Sequence, residues 1–105
     1  AEALQDKDGR VREAAAKALG QLGAHAAEQA PRIAEALQDK DSDARKAAAV
    51  ALGQLGAHAA EQAPCIAEAL KDKDWRVRKA AAAGLGQLGA HAAAQAPRIV
   101  DLLKE

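Results

Sequence analysis

The sequence predicts an all-α fold, an α-solenoid of three stacked two-helix repeats, on three observations. The chain repeats itself with a 33-residue period, alanine dominates while strand-forming residues are scarce, and capping, glycine and proline positions recur in one register. Across residues 1–33, 34–66 and 67–99, 24 of the 33 positions are identical. Such uniformity indicates recent amplification or deliberate consensus building. A chain that begins on alanine rather than methionine fits a processed or built product.

The repeat is plainest in two blocks. Ala18-Leu19-Gly20-Gln21-Leu22-Gly23 returns as Ala51–Gly56, and as Gly84–Gly89 with glycine in the alanine's place. Leu4-Gln5-Asp6-Lys7-Asp8 returns at Leu37 and, with a lysine for the glutamine, at Leu70. Pro31, Pro64 and Pro97 keep the same step, as do His25, His58 and His91.

Alanine supplies 32 of the 105 residues, and there is no Phe, Tyr, Met, Thr or Asn. Alanine loses no side-chain entropy in a helix, so it favours that state more than any other residue. β-Branched residues number only seven, and Trp75 is the one aromatic. The core built from such a chain must be thin.

In each unit the first helix starts after an Asp-Lys-Asp turn. Asp8, Asp41 and Asp74 suit the N-cap, because a carboxylate accepts from the free amides of the first turn. The helix runs to Leu22, Leu55 and Leu88, and Gly23, Gly56 and Gly89 suit a left-handed terminating residue. Val11, Ala15, Leu19 and Leu22 form one apolar stripe at helical spacing. The second helix, from Ala24 to Gln38 in the first copy, carries Pro31 in its middle. Proline there either kinks the helix or starts a second helical piece at its first position. Its stripe is Ala27, Ala30, Ile33, Ala34 and Leu37. The expected organisation is a single domain over 1–105, with 1–6 the end of a partial first helix and units at 9–38, 42–71 and 75–105. Two short helices cannot bury their stripes alone, so neighbouring units must do so.

A 33-residue period also belongs to ankyrin repeats, but their Thr-Pro-Leu-His tetrapeptide is impossible in a chain without threonine. The run Leu37-x-Asp39-x-Asp41-x-x-Ala44-Arg45-x-Ala47-Ala48-x-x-Ala51-Leu52-Gly53-x-Leu55-Gly56 instead resembles the HEAT repeat. The likeness is to the short HEAT-like type of phycobilisome lyase subunits and of artificial consensus scaffolds. It recurs from Leu4 and from Leu70, with Val11-Arg12 and Val77-Arg78, and the prolines match the kink of the first HEAT helix. The resemblance implies a structural ladder between units, drawn from Asp6, Asp39 and Asp72 and from Arg12, Arg45 and Arg78. It also implies that the alanine-rich helices line the concave side, and that the protein holds other proteins together; a few relatives assist bilin attachment.

Fifteen acidic and fifteen basic residues cancel and are interspersed, so no basic stripe with stacking aromatics points to nucleic acid. No apolar run approaches the length of a membrane span, and no signal-peptide pattern is present. The single cysteine excludes an internal disulfide framework and fits a reducing compartment. A cytoplasmic location is expected of a natural chain, and none is defined for an artificial one.

Catalytic candidates are few. Ser42 falls in a first helical turn, and its counterparts Gly9 and Trp75 repeat no chemistry. Cys65 stands where the other copies carry Arg32 and Arg98, an exposed position, and reads as a free thiol. His58 is seven residues earlier, about 10 Å along a helix axis, beyond the reach needed to activate it. Histidines 25, 58 and 91 form a row at the spacing of packed helices, roughly 10 Å, too wide to close one zinc site. The Asp-Lys-Asp turns lack the glycine and terminal glutamate of a calcium loop. No catalytic residue, metal or cofactor is expected.

The positions that differ between units mark the candidate partner surface. Glu13 and Lys17, then Ser42, Lys46 and Val50, then Trp75, Lys79 and Ala83 fall on i, i+4, i+8 stripes opposite the leucines. Trp75 is the best anchor among them. The ends carry a second signal. Val100 and Leu102 replace alanines of the earlier copies, and with Leu103, Leu4 and Cys65 they are candidates for self-association. The expected function is a non-catalytic repeat scaffold, for protein–protein interaction or for self-assembly into a homo-oligomer through its uncapped ends. The alternative, a fragment of a bilin-lyase-type protein acting on a tetrapyrrole, needs a large apolar groove that a chain with one aromatic is poorly equipped to line.

Overall fold

The structure, a computed structural model, describes residues 2–88. Val100, Leu102, Leu103, His91 and the second helix expected of the third unit lie outside the described residues. Five α-helices are seen: α1 (Gly9–Leu22), α2 (Ala30–Glu35), α3 (Ser42–Leu55), α4 (Ala63–Glu68) and α5 (Trp75–Leu88). The remaining elements are 3-10 turns, and no strand occurs among the described residues.

The alanine-rich helices α1, α3 and α5 are each 14 residues long and begin alike. The carboxylates of Asp8, Asp41 and Asp74 accept from the backbone N–H two residues on, at 2.9, 3.0 and 2.9 Å. Gly23 and Gly56 end α1 and α3 with φ of 59° and 56°. Their ψ values near −130° lie outside the left-handed helical well that the sequence suggests. The turn is sharper than a left-handed cap, in a region that only glycine occupies readily.

Proline decides the form of the second helix. The chain runs as a 3-10 helix over Gly23–Gln29, becomes α2 with Pro31 in its first turn, and tightens again over Ala36–Gln38. Of the two outcomes open to proline, the fresh start is the one adopted, because a first-turn residue needs no N–H partner. The same sequence of segments recurs around Pro64, where Ala59 (φ −111°, ψ 17°) breaks the helical path before α4.

The helices form two layers. Consecutive alanine-rich helices pack directly on one another, α1 on α3 and α3 on α5. The proline-containing segments form the second layer, α2 with its 3-10 flanks covering α3 and α4 with its flanks covering α5. Ile33 and Ile66 from the second layer meet Leu52, Val77 and Leu85 from the first, all fully buried with the alanines between them.

Glycine sets the distance between the alanine-rich helices. A Cβ placed on Gly20 would stand 2.8 Å from the Cα of Ala51, and one on Gly53 would stand 2.8 Å from the Cα of Gly84. These are backbone obstacles, so a side chain there forces the helices apart. Gly86 occupies the same repeat position, and a Cβ on it meets nothing among the described residues.

The apolar stripe of the first helix differs from expectation. Val11 and Leu22 are 38% and 53% exposed, whereas their counterparts Val77 and Leu55 are 0% and 2% exposed. Among the described residues the segment before α1 is the 3-10 turn Glu2–Gln5, which covers less of α1 than α2 and its flanks cover of α3. Leu4, in that short turn, is itself buried against the core.

A ladder of ion pairs ties the turns of adjacent units. Arg12 Nε and Nη2 donate to the two carboxylate oxygens of Asp39 at 2.6 and 2.9 Å, while Nη1 donates to the Asp6 carbonyl at 2.6 Å. Arg45 repeats this with Asp72 at 2.8 and 3.2 Å and with the Asp39 carbonyl at 2.8 Å. The arginine six residues after each aspartate thus binds that aspartate's backbone, and its charge partner comes from the next unit. Both guanidinium groups are buried, and forked pairing fixes orientation as well as charge. Asp6 has no such arginine among the described residues; its carboxylate accepts only the Asp8 amide, at 2.9 Å. Arg78 donates to the Asp72 carbonyl at 2.7 Å.

Two predictions come from this packing. Gly53→Ala and Gly86→Ala make the same change at the same repeat position, and their effects on unfolding free energy should have opposite signs. Gly86→Ala gains helix propensity and raises stability by about 0.5–1 kcal/mol. Gly53→Ala must separate α3 from α5 and lowers it by about 1–2 kcal/mol; urea titration of both variants measures the contrast, and equal shifts would refute the close-contact argument. The second concerns acid. The Arg12 guanidinium, helped by the Asp41 amide, holds the Asp39 carboxyl below its ordinary 3.8. Its contribution is therefore complete above that ordinary value and is lost as pH falls through the depressed one. Thermal midpoints of the parent and Asp39→Asn should differ most at neutral pH and converge in acid, while Asp6→Asn stays close to the parent throughout.

Candidate protein-interaction surface

The outward faces of α1, α3 and α5 carry four of the nine repeat positions that differ between units, those of residues 9, 10, 13 and 17. Trp75, the first residue of α5, follows the Asp74 cap directly, so its indole projects from the helix start and is 61% exposed. Val50 on α3 and Ala83 on α5 are also exposed. Together with Lys46, Arg76 and Lys79 they line a depression of about 300 Å³. A smaller one of about 90 Å³, lined by Glu13, Lys17 and Asp43, shares Lys46 and Val50 with it. The two make one surface across three helices. Ser42, half-buried, stands at its edge, in a hollow that Lys73, Trp75 and Arg76 border at the helix starts.

Charge on this surface is partly neutralised from within. Lys17 pairs with Glu13 one turn away at 3.2 Å. Arg76 donates to Asp74 at 2.9 Å, lies 3.4 Å from Asp43 on the neighbouring helix, and reaches the Ser42 hydroxyl at 3.3 Å. That guanidinium, with the Arg76 amide, holds the Asp74 carboxyl well below the usual carboxylate range. Arg10 acts on Asp8 in the same way at the start of α1. Lys46 and Lys79 make no ion pair with any described residue.

The eight partner-surface candidates lie on this face or its rim, and so do Arg76 and Asp43, which also vary between units but fall off the i, i+4, i+8 stripes. Their signal was present in the register: positions 10, 43 and 76 read Arg, Asp, Arg, opposite charges one unit apart. Stacking a 33-residue repeat brings such positions side by side.

The other candidates lie elsewhere. Cys65 is a free, exposed thiol beside a depression between the second-layer segments, lined by Leu37, Pro64 and Glu68. His58 lines a different hollow, with Glu28, Pro31 and Glu61. Among the described residues no group of three His, Cys, Asp or Glu side chains is placed to hold a metal ion. No described helix is long and apolar enough to cross a membrane.

Comparison with known families gives a direct result. Residues 30–105 match the family described as HEAT repeats, and residues 1–26 match the HEAT repeat. A comparison with curated proteins finds no match. HEAT repeats are in general non-catalytic scaffolds that mediate protein interaction. On the match over most of its length and on its two-layer helical stack, the chain belongs to the HEAT-repeat family.

Proposed function

We propose that this chain is a non-catalytic scaffold that binds a protein partner through the outward face of α1, α3 and α5. One observation carries the reading. The chain's only tryptophan is exposed at the start of α5, on the surface where the alanine-rich helices differ between units, and an indole offers a large apolar area on a side chain with little freedom to lose. The tetrapyrrole reading has less support, since the depression beside Trp75 is open and lined mainly by lysine, arginine and alanine.

Self-association is a second reading, favoured by the exposed Val11 and Leu22 of α1. These side chains offer a second copy the face that α2 covers on α3. Val100, Leu102 and Leu103 belong to the same proposal at the other end, and Cys65 offers a covalent route between chains.

Binding domains selected from a naive displayed library against the whole chain should concentrate on the tryptophan face. Most should weaken by about tenfold or more on Trp75→Ala and be indifferent to Arg32→Ala on the second layer; binders spread evenly over both layers would sink the reading. For the second reading, light-scattering mass in reductant should rise above the monomer with concentration and return to it in Leu22→Glu. A monomer at every concentration rejects self-association, and an oligomer seen only without reductant transfers it to Cys65.

A further inference from the structure

We infer that the segment held at this face is acidic, seating one large apolar side chain between Trp75, Val50 and Ala83 and two carboxylates on Lys46 and Lys79. This rests on the protein-binding reading above and names the chemistry of the partner. Every carboxylate along the shared surface already has a cation: Glu13 has Lys17, and Asp43 and Asp74 share Arg76. What is left is two exposed ammonium groups without a described partner, one on α3 and one on α5, bordering the same exposed apolar floor. Lys17, Lys46, Arg76 and Lys79 thus face the three carboxylates Glu13, Asp43 and Asp74, and the surface is basic by one charge although the whole chain is neutral. Charge of one sign beside an apolar hollow selects its complement and repels like-charged competitors.

The spacing of the lysines narrows the partner further. Positions 46 and 79 are one repeat apart, so their helices lie roughly 8–10 Å from axis to axis. On an extended segment residues two apart share a face, so carboxylates four residues apart lie on one side and are separated by about 13 Å, at ~3.3 Å per residue, within the span of two flexible lysine side chains. A pattern of acid, any residue, a leucine- or phenylalanine-sized residue, any residue and acid puts all three side chains on one face, toward both lysines and the tryptophan. A nucleic-acid strand fits less well, because Trp75 is the only stacking platform and Arg76 is already neutralised.

The test is a selection from a displayed library of random dodecapeptides on the immobilised whole chain, followed by anisotropy titration of the enriched peptides carrying a fluorescent label. Acidic peptides with an apolar residue between the acids should be enriched. Their affinity should fall about tenfold or more in Lys46→Glu/Lys79→Glu, fall on raising salt, and hold within about twofold in Arg32→Glu. All substituted positions are exposed, and circular dichroism checks that the helices persist. Neutral or basic peptides that still depend on Trp75 would overturn the acidic partner while leaving the binding face intact. Enriched peptides indifferent to Trp75 and to both lysines, or no enrichment at all, would overturn both. Displacement by a single-stranded oligonucleotide at comparable affinity would replace the acidic peptide with a polyanion.

Discussion

Gly20 lies against Ala51, and Gly53 against Gly84, so closely that no added carbon fits between the helices. That approach fixes how consecutive alanine-rich helices sit on one another, and much else depends on it. With the backbones so near, a core of alanines and a few branched side chains is enough to exclude water. Dispersion depends steeply on separation, and a slightly wider stack would leave gaps that alanine cannot fill. The second layer then closes the junctions with Ile33 and Leu37, and with Ile66 and Leu70, among its alanines. A chain with one aromatic residue can hold a packed interior because glycine brings its backbones together.

The ladder answers a different problem. An alanine surface is smooth and specifies register poorly, since one small side chain resembles the next. Arg12 and Arg45 each bind the backbone of their own turn and the carboxylate of the next, with geometry that one sliding step would destroy. Buried ion pairs contribute little net stability once desolvation is counted. Their role here is to select one alignment among many of similar packing energy.

The sequence made the period, the layers and the caps legible because each is written in residue types with one strong preference. Asp8, Asp41 and Asp74 begin helices, Gly23 and Gly56 end them, and repetition at 33 residues leaves little choice but stacking. Two features resisted. Whether Pro31 would bend a helix or start one depends on how well the preceding turn satisfies its carbonyls, a matter of tertiary context. The exposure of Val11 and Leu22 could not be read from their own identities, since Val77 and Leu55 are buried at the same positions. What differs is the neighbour, and pattern arguments assume that every copy has one. The pairing of Arg76 with Asp43 stayed hidden for a related reason: it exists only between units, and a scan for chemistry within one unit passes over it.

Stack and surface are written in separate positions. Identical residues supply the ladder and the caps, and the close helix contacts join the identical Gly20 and Gly53 to Ala51 and Gly84, a position that stays small in every unit; the outward positions 13 and 17 and their equivalents lie apart from all three. Where a varied residue does touch the frame, the effect is local, as with Arg76 reaching Asp43 across one junction. A side chain on this face is thus free to be chosen for what it meets outside. Under that freedom, two lysines in register without internal partners, beside the chain's one tryptophan, are more informative than the same residues on a surface constrained by folding. The stack does not require them, so their common purpose is sought in a partner.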